Sequence, residues 1–321
     1  MERARRVGVV FNPTKTADPS QFAEEITHAI TDNDDEVVAV YPTTRDDPGT
    51  GVTTELLRHG VDLVLAAGGD GTVRAVTSGL IDTQVPCGLV PLGTGNLMAR
   101  NLGIPMDLTE AVEIALNAPH RPMDMVRLII DHDTGHPTWF TGMAGVGFDA
   151  AMMRDTHEDL KKVIGSGAYV LAFAKHIATP PRKVRIQIDA RSPVKRRSVL
   201  VMVGNTHSLK GGLVLFPDAR PDDGQIDLVT ATPYIPGAWA RVLGVLLRSR
   251  YLRRRARAES RAVQFDAGRR ITLSFDKPMP WEVDGDTIGT GKIFEFSVHP
   301  GVLHVVTPLH HLGLRDTTLL G

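Results

Sequence analysis

Hydrophobic and polar positions change period along this chain. In the first third, short apolar runs, VGVVF (7–11), EVVAV (36–40), DLVLAA (62–67) and PCGLVPL (86–92), are bounded by turn residues. Between them lie PSQFAEEITHAI (19–30), VTTELLRHG (52–60) and TVRAVTSGLI (72–81), whose apolar residues recur at helical spacing. Strands alternating with helices predict a parallel α/β layer. Near HRPMDM (120–125) the pattern shifts. MVRLIID (125–131), VRIQID (184–189), SVLVMVG (198–204), IDLVTA (226–231), ITLSFD (271–276) and FEFSVH (294–299) alternate at period two, with turn residues between them. That predicts a mostly antiparallel sheet or sandwich. A helical insertion is expected over about 149–178, closed by TPPRK (179–183), and the apolar tail GVLHVVTP (301–308) is suited to return to the first domain. The expected division is residues 1–125 with 301–321 as an α/β domain of three-layer-like build, and residues 126–300 as a β-rich, sandwich-like domain.

Composition narrows the setting. The 321 residues carry a formal net charge of −1, so no global field favours nucleic acid, and the 42% hydrophobic content supports ordinary cores. No run reaches the ~18 apolar residues of a membrane-spanning helix. The basic MERARR start is followed by too short an apolar run for a signal peptide, so a cytoplasmic location is expected. Cys87 is the single cysteine and sits in an apolar strand; it reads as a buried structural thiol in a reducing compartment.

The candidate chemistry lies at strand ends. In VLAAGGDGT (64–72) an apolar strand runs into Gly68, Gly69, Asp70, Gly71 and Thr72, then into a helix. Bare backbone N–H groups at a helix N-terminus make a phosphate cradle. An aspartate beside phosphate is repulsive unless a cation intervenes, so Asp70 implies Mg²⁺, proton transfer, or both; a plain turn with Asp70 as the helix cap is the competing reading. The strand ending in PLGTGN (91–96) repeats the arrangement, with Thr94 and Asn96 as neutral hydrogen-bonding groups and Arg100 one turn further on. Parallel strands open on one edge, so both turns can face one ligand. The turn after the first strand adds Asn12, Pro13 and Thr14, with Lys15 as a candidate counter-charge.

These blocks, VFNPT, GGDGT and PLGTGN, resemble in order those of the diacylglycerol kinase catalytic domain family, which includes bacterial lipid kinases and sphingosine and ceramide kinases. TGMAGVGFDA (141–150), FPDARPDDGQIDLV (216–229) and VDGD (283–286) continue the resemblance over nearly the whole chain. It implies an α/β nucleotide-binding domain, a β-rich lipid domain and an active site in the interdomain cleft. It implies an ATP-dependent lipid kinase, a phosphotransferase acting on the primary hydroxyl of a diacylglycerol-like or sphingoid-like lipid. The ATP-binding positions it carries over are Asn12, Pro13 and Thr14, Gly68 to Thr72, and Thr94 and Asn96. Thr16 departs from the family's usual glycine. The general base maps to Asp286, an aspartate where the family has glutamate, with Asp70 as metal and phosphate organiser and Asp284 supporting. Asp222–Asp223–Gly224 maps to a Mg²⁺ loop, with Asp223 and the Gln225 carbonyl as ligands. An NAD kinase-like enzyme shares GGDGT but would bring an Asn-Glu motif that this chain lacks. A non-catalytic nucleotide- or lipid-binding regulator is the other alternative. The expected partners are the lipid and, through the apolar and basic stretch 239–261, a peripheral contact with an anionic membrane; a second copy of the chain, as a homodimer, is a further candidate.

Three patterns are set aside. GMAGVG (142–147) has the wrong glycine spacing for a dinucleotide fingerprint, Gly291–Lys292 only mimics a phosphate-loop ending, and TDNDDE (31–36) reads as a solvated turn.

Overall fold

The computed structural model describes residues 3–147, 181–207, 215–231 and 263–308. The expected helical insertion and the basic run of 239–261 lie outside the described residues. The chain divides into two compact units, residues 1–123 with 302–321 and residues 124–301.

The first unit alternates β1 (Arg6–Phe11), α1 (Pro19–Asp32), β2 (Glu36–Pro42), α2 (Thr50–Arg58), β3 (Leu63–Gly68), α3 (Asp70–Gly79), β4 (Cys87–Pro91), α4 (Leu97–Asn101) and α5 (Leu108–Asn117). β1 pairs parallel with β2 and β3, and β3 with β4. Val7, Val9 and Phe11 join Phe22, Ile26 and Ile30 of α1 and Val112, Ala115 and Leu116 of α5 in one core. Gly8, whose missing side chain would point the other way, lies against Leu56 of α2. Helices thus cover both faces of the sheet, which is why its central strands are continuous apolar runs.

Local chemistry sets the boundaries. Asp18 caps α1, its Oδ1 accepting from the N–H groups of Ser20 at 2.8 Å and Gln21 at 3.1 Å, and Pro19 occupies the first turn, where no N–H is needed. α5, which the apolar pattern leaves unassigned, starts at Asp107, whose Oδ1 accepts from Glu110 N–H at 3.0 Å. The acidic run after α1 is more than a solvated turn. Asp35, with its side chain 6% exposed, receives both Nε and a terminal nitrogen of Arg5, at 3.0 and 2.6 Å. Cys87 is fully buried, and burial pushes its thiol up to about 12, as an inert structural residue requires.

β5 (His120–Ile130) begins in the first unit and ends in the second. The second unit then contains β6 (Thr138–Phe140), β7 (Met143–Gly147), β8 (Arg182–Ile188), β9 (Val194–Ser198), β10 (Leu200–Gly204), β11 (Ile226–Ala231), β12 (Val263–Gly268) and β13 (Arg270–Val283). Its pairings run antiparallel through β12, β11, β10, β7 and β13, with β8 added along β13 and β9 along β8. β13 pairs with β8 through Ile271–Phe275 and with β7 through Trp281–Val283. Its register slips between Ser274 and Met279, where Pro278 cannot donate to a ladder. Along one edge this strand therefore serves two partners in turn, and a core of Val184, Ile186, Leu228, Trp281, Phe294 and Phe296 fills the interior. Trp281 stacks on Phe294 with centroids 4.3 Å apart.

β14 (Asp286–Val306) leaves the second unit and ends in the first. There Val305 pairs parallel with Cys87, Val302 O accepts from Asp82 N–H at 2.9 Å, and buried Thr307 donates through N–H to Pro119 O at 3.1 Å and through Oγ1 to Leu102 O at 3.2 Å.

Candidate active site

The first unit brings the three strand-end turns together. Asn12 N–H donates to Ala67 O at 2.9 Å, so the turn after β1 lies against the end of β3. Asn12 Oδ1 accepts from Thr14 N–H at 3.0 Å and Thr14 Oγ1 at 2.8 Å, shaping the turn. Its Nδ2 reaches Thr72 Oγ1 at 3.5 Å. Thr14 and Lys15 are exposed beside it. The glycine turns after β3 and β4 pack backbone to backbone. A Cβ on Gly93 would stand 2.6 Å from Gly69 Cα, an approach only glycine permits. Gly69 precedes α3 and supplies no side-chain cap, so the N–H groups of that first turn receive no side-chain cap from it.

Asp70 is the first residue of α3, one place inside the cap position that Gly69 holds. Its Oδ1 accepts from Leu97 N–H, the first residue of α4, at 2.5 Å. The carboxylate between the glycines therefore ties one turn to the next. Asn96 is buried in left-handed conformation, at φ 49°; its Oδ1 accepts from Gly93 N–H at 3.0 Å and its Nδ2 donates to Gly93 O at 2.7 Å. Asn96 thus builds the turn, while Thr94 is the exposed hydroxyl on it. Arg100 Nε donates to Gly95 O at 2.9 Å, so this guanidinium also supports the loop.

In the second unit, Asp284 and Gly285 are the two central residues of the hairpin joining β13 and β14, with φ 49° and 91° and Val283 opposite Asp286. Positive φ at both positions matches the twist of the strands and suits Asp-Gly. Asp284 also binds β7: its N–H donates to Met143 O at 2.8 Å and its Oδ1 accepts from Met143 N–H at 2.9 Å. Asp284 is therefore a structural tie, and Asp286 is exposed at the start of β14. Glu282, which the pattern did not single out, is buried two residues earlier in β13, with Oε1 accepting from Thr287 Oγ1 at 3.3 Å.

The Asp222–Asp223–Gly224 loop centres on another residue missed in the sequence. Asp124 is 2% exposed; its Oδ2 accepts from Gly224 N–H at 2.7 Å, its Oδ1 from Gly301 N–H at 3.0 Å, and its own N–H donates to Pro221 O at 2.7 Å. Burial raises the Asp124 carboxyl above its ordinary range; the two N–H donors oppose this, and the charges of Asp223 and Asp222 add to it. Burial likewise raises Asp223, with Gln225 N–H and Arg220 opposing and Asp222 adding to it. Asp223 Oδ1 accepts from Gln225 N–H at 3.0 Å, and Asp222 pairs with Arg220 at 3.2 Å. Among the described residues no group of three or more histidine, cysteine or acidic side chains is arranged to hold a metal. Asp223 is exposed on this loop, with Asp222 next to it and the Arg220 charge opposing, and can offer one carboxylate oxygen to Mg²⁺, which keeps most of its waters and takes one or two protein oxygens.

The diacylglycerol kinase catalytic domain model matches residues 6–128, and the YegS C-terminal NAD kinase beta sandwich-like domain model matches residues 142–307, just over half of the chain. The chain belongs to the diacylglycerol kinase family of lipid kinases. A diacylglycerol kinase of Bacillus subtilis (strain 168) is 27% identical over 316 residues, covering 96% of this chain and 97% of its own. A Pseudomonas aeruginosa protein named as a probable YegS-like lipid kinase is 31% identical over 284 residues, covering 87% of each chain. The crystal structure of a diacylglycerol kinase from Bacillus anthracis (strain Sterne) shares the fold, with TM-score 0.70 at 19% identity over 97% of this chain and 100% of that one. The protein is a lipid kinase with two domains, an N-terminal α/β domain and a C-terminal β-sandwich-like one. No helix among its described residues is long and apolar enough to cross a membrane.

Proposed function

We propose that this kinase transfers the γ-phosphoryl group of ATP, with Mg²⁺, to the primary hydroxyl of a diacylglycerol-like lipid. The observation that carries the reading is the close packing of Gly93 on Gly69, which sets the turn after β4 against the start of α3, where Gly69 provides no side-chain cap. In this reading the α3 N–H groups, Thr14 and Thr94 hold phosphate oxygens, Lys15 adds positive charge, and Asp70 keeps the two turns in register. Asp70 would organise Mg²⁺ at the phosphates, and Asp223 and the Gln225 carbonyl would be candidate ligands away from them; the ion would supply charge neutralisation. Asp286 takes the hydroxyl proton as the new P–O bond forms and the bond to ADP breaks. The lipid class rests on the naming of the Bacillus subtilis relative as a diacylglycerol kinase. Peripheral contact with an anionic membrane completes the reading; it is supported by the apolar and basic sequence of 239–261 alone.

The test is incubation with γ-labelled ATP, Mg²⁺ and a total lipid extract, followed by mass spectrometry. Labelled phosphatidic acid is the expected product. A phosphorylated sphingoid base would replace the acceptor, and absence of any labelled lipid from protein that binds ATP would overturn the lipid-transfer reading.

A further inference from the structure

Two histidines meet across the strands on which the chain leaves the first unit and returns to it. His120 opens β5, His304 lies near the end of β14, and these strands pair. Both residues belong to the first unit. Their Nδ1 atoms are 3.2 Å apart, and the rings meet edge to face at 61°. A neutral pair satisfies this contact only when one ring carries Nδ1–H and donates to the bare Nδ1 of the other. Burial holds His304 below the ordinary imidazole range, and the neighbouring charge of His120 adds to this; no carboxylate contributes among the described residues.

We propose that His120 and His304 form a two-imidazole site for a first-row divalent cation of the zinc class. Such ions sit ~2.0–2.1 Å from an imidazole nitrogen, so nitrogens 3.2 Å apart subtend about 100° at a shared ion, near the tetrahedral angle. Imidazole nitrogen selects zinc, nickel and copper over Mg²⁺, which prefers oxygen. On binding, the ring that held Nδ1–H moves that proton to its Nε2, so both Nδ1 lone pairs face the ion and the neutral pair loses no proton. Water completes the coordination, since His120 is exposed. The ion fastens β5 to β14 and stabilises the first unit by mass action. This site shares no residue with the phosphate cradle and does not depend on the substrate assigned above.

The experiment is a Zn²⁺ titration of the tag-free full chain against a fluorescent chelator, in excess Mg²⁺ to occupy carboxylate sites. Wild type is expected to bind one Zn²⁺ that is lost in H120Q and in H304Q. Loss of one ligand should weaken binding at least as much as the ~10–100-fold that loss of a ligand's outer hydrogen bond costs. H310N/H311N, which removes two histidines adjacent in the sequence, should leave the affinity of this site unchanged. At free Zn²⁺ about 100-fold above Kd, the unfolding midpoint of wild type should rise by roughly 5–10 °C and those of H120Q and H304Q should not. Imidazole ¹⁵N spectra of the wild-type protein give a second reading that needs no variant: Zn²⁺ should shift two Nδ1 resonances together. Zinc affinity unchanged in H304Q, or spectra in which no Nδ1 pair responds, would overturn the assignment.

Discussion

Replacing Asp70 separates two roles that one carboxylate holds. Its Oδ1 accepts from Leu97 N–H at 2.5 Å and joins the start of α3 to the start of α4. Asp70→Asn keeps an acceptor there and removes the charge; Asp70→Ala removes both. A hydrogen bond to a charged group contributes ~1.5–3 kcal/mol and a neutral one ~0.5–1.5 kcal/mol. Leu97 is buried, so its N–H gains little water when the acceptor is lost. Asp70→Ala should therefore cost ~1.5–3 kcal/mol, and Asp70→Asn about 1 kcal/mol. At ~2–4 °C per kcal/mol for a unit of this size, the alanine variant should melt roughly 3–12 °C lower. The assay is urea unfolding followed by far-ultraviolet circular dichroism, which follows the helices of the first unit. Tryptophan fluorescence is the control, because Trp139, Trp239 and Trp281 all fall in residues 124–301. Transfer should respond to the charge: Asp70→Asn should lower kcat by about 10²-fold or more, since a preorganised charged group is worth that much in the transition state. An asparagine variant with near-normal turnover would refute the metal and phosphate role. An alanine variant as stable as wild type would refute the structural tie.

Other outcomes follow from the same geometry. Gly93→Ala should weaken ATP binding and cost ~1–3 kcal/mol by circular dichroism, because its Cβ would meet Gly69 Cα at 2.6 Å and Asn96 Oδ1 at 2.8 Å. Asp286→Asn should lower kcat by ~10²–10⁴-fold in the labelled-lipid assay while leaving ATP affinity near wild type. Asp124→Asn leaves one of two buried N–H donors without an acceptor and should cost ~1–3 kcal/mol. Because Asp124 is raised in the folded protein, the native state binds more protons, so its contribution is greatest in acid and is lost as pH rises above the model-compound value of 3.8. The asparagine variant should accordingly show a flatter decline of stability with pH above that value, measured by urea titrations.

The alternation of the first unit was readable because each parallel strand is buried on both faces and each helix carries one apolar stripe, as Phe22, Ile26 and Ile30 do in α1. The Asp-Gly pair at 284–285 suits its hairpin because few other pairs accept positive φ twice. Partner exchange was not readable. SVLVMVG looks like one strand, yet Ser198 ends β9 and Leu200 begins β10. Nothing local marks that change. The bond from Leu97 to Asp70 joins positions 27 apart, and the acceptor could have been any polar group the fold brought there. Asp124 did leave a signal: a carboxylate between Met123 and Met125, both buried, requires dedicated donors. Only the folded chain shows that the N–H groups of Gly224 and Gly301 supply them.

The way β14 finishes the first sheet has a consequence for synthesis on the ribosome. The phosphate-loop segments, residues 12–96, emerge early, but Val305, which covers the outer side of β4, is made only after the whole of 124–301. At ~5–20 residues per second that interval is on the order of 10–40 s, during which the β4 edge has no partner. The nascent α/β segment must wait with an apolar edge bare while the β-rich segment is translated and free to fold. A chain stalled before residue 302 should therefore be a chaperone client even when its later-made domain is already native.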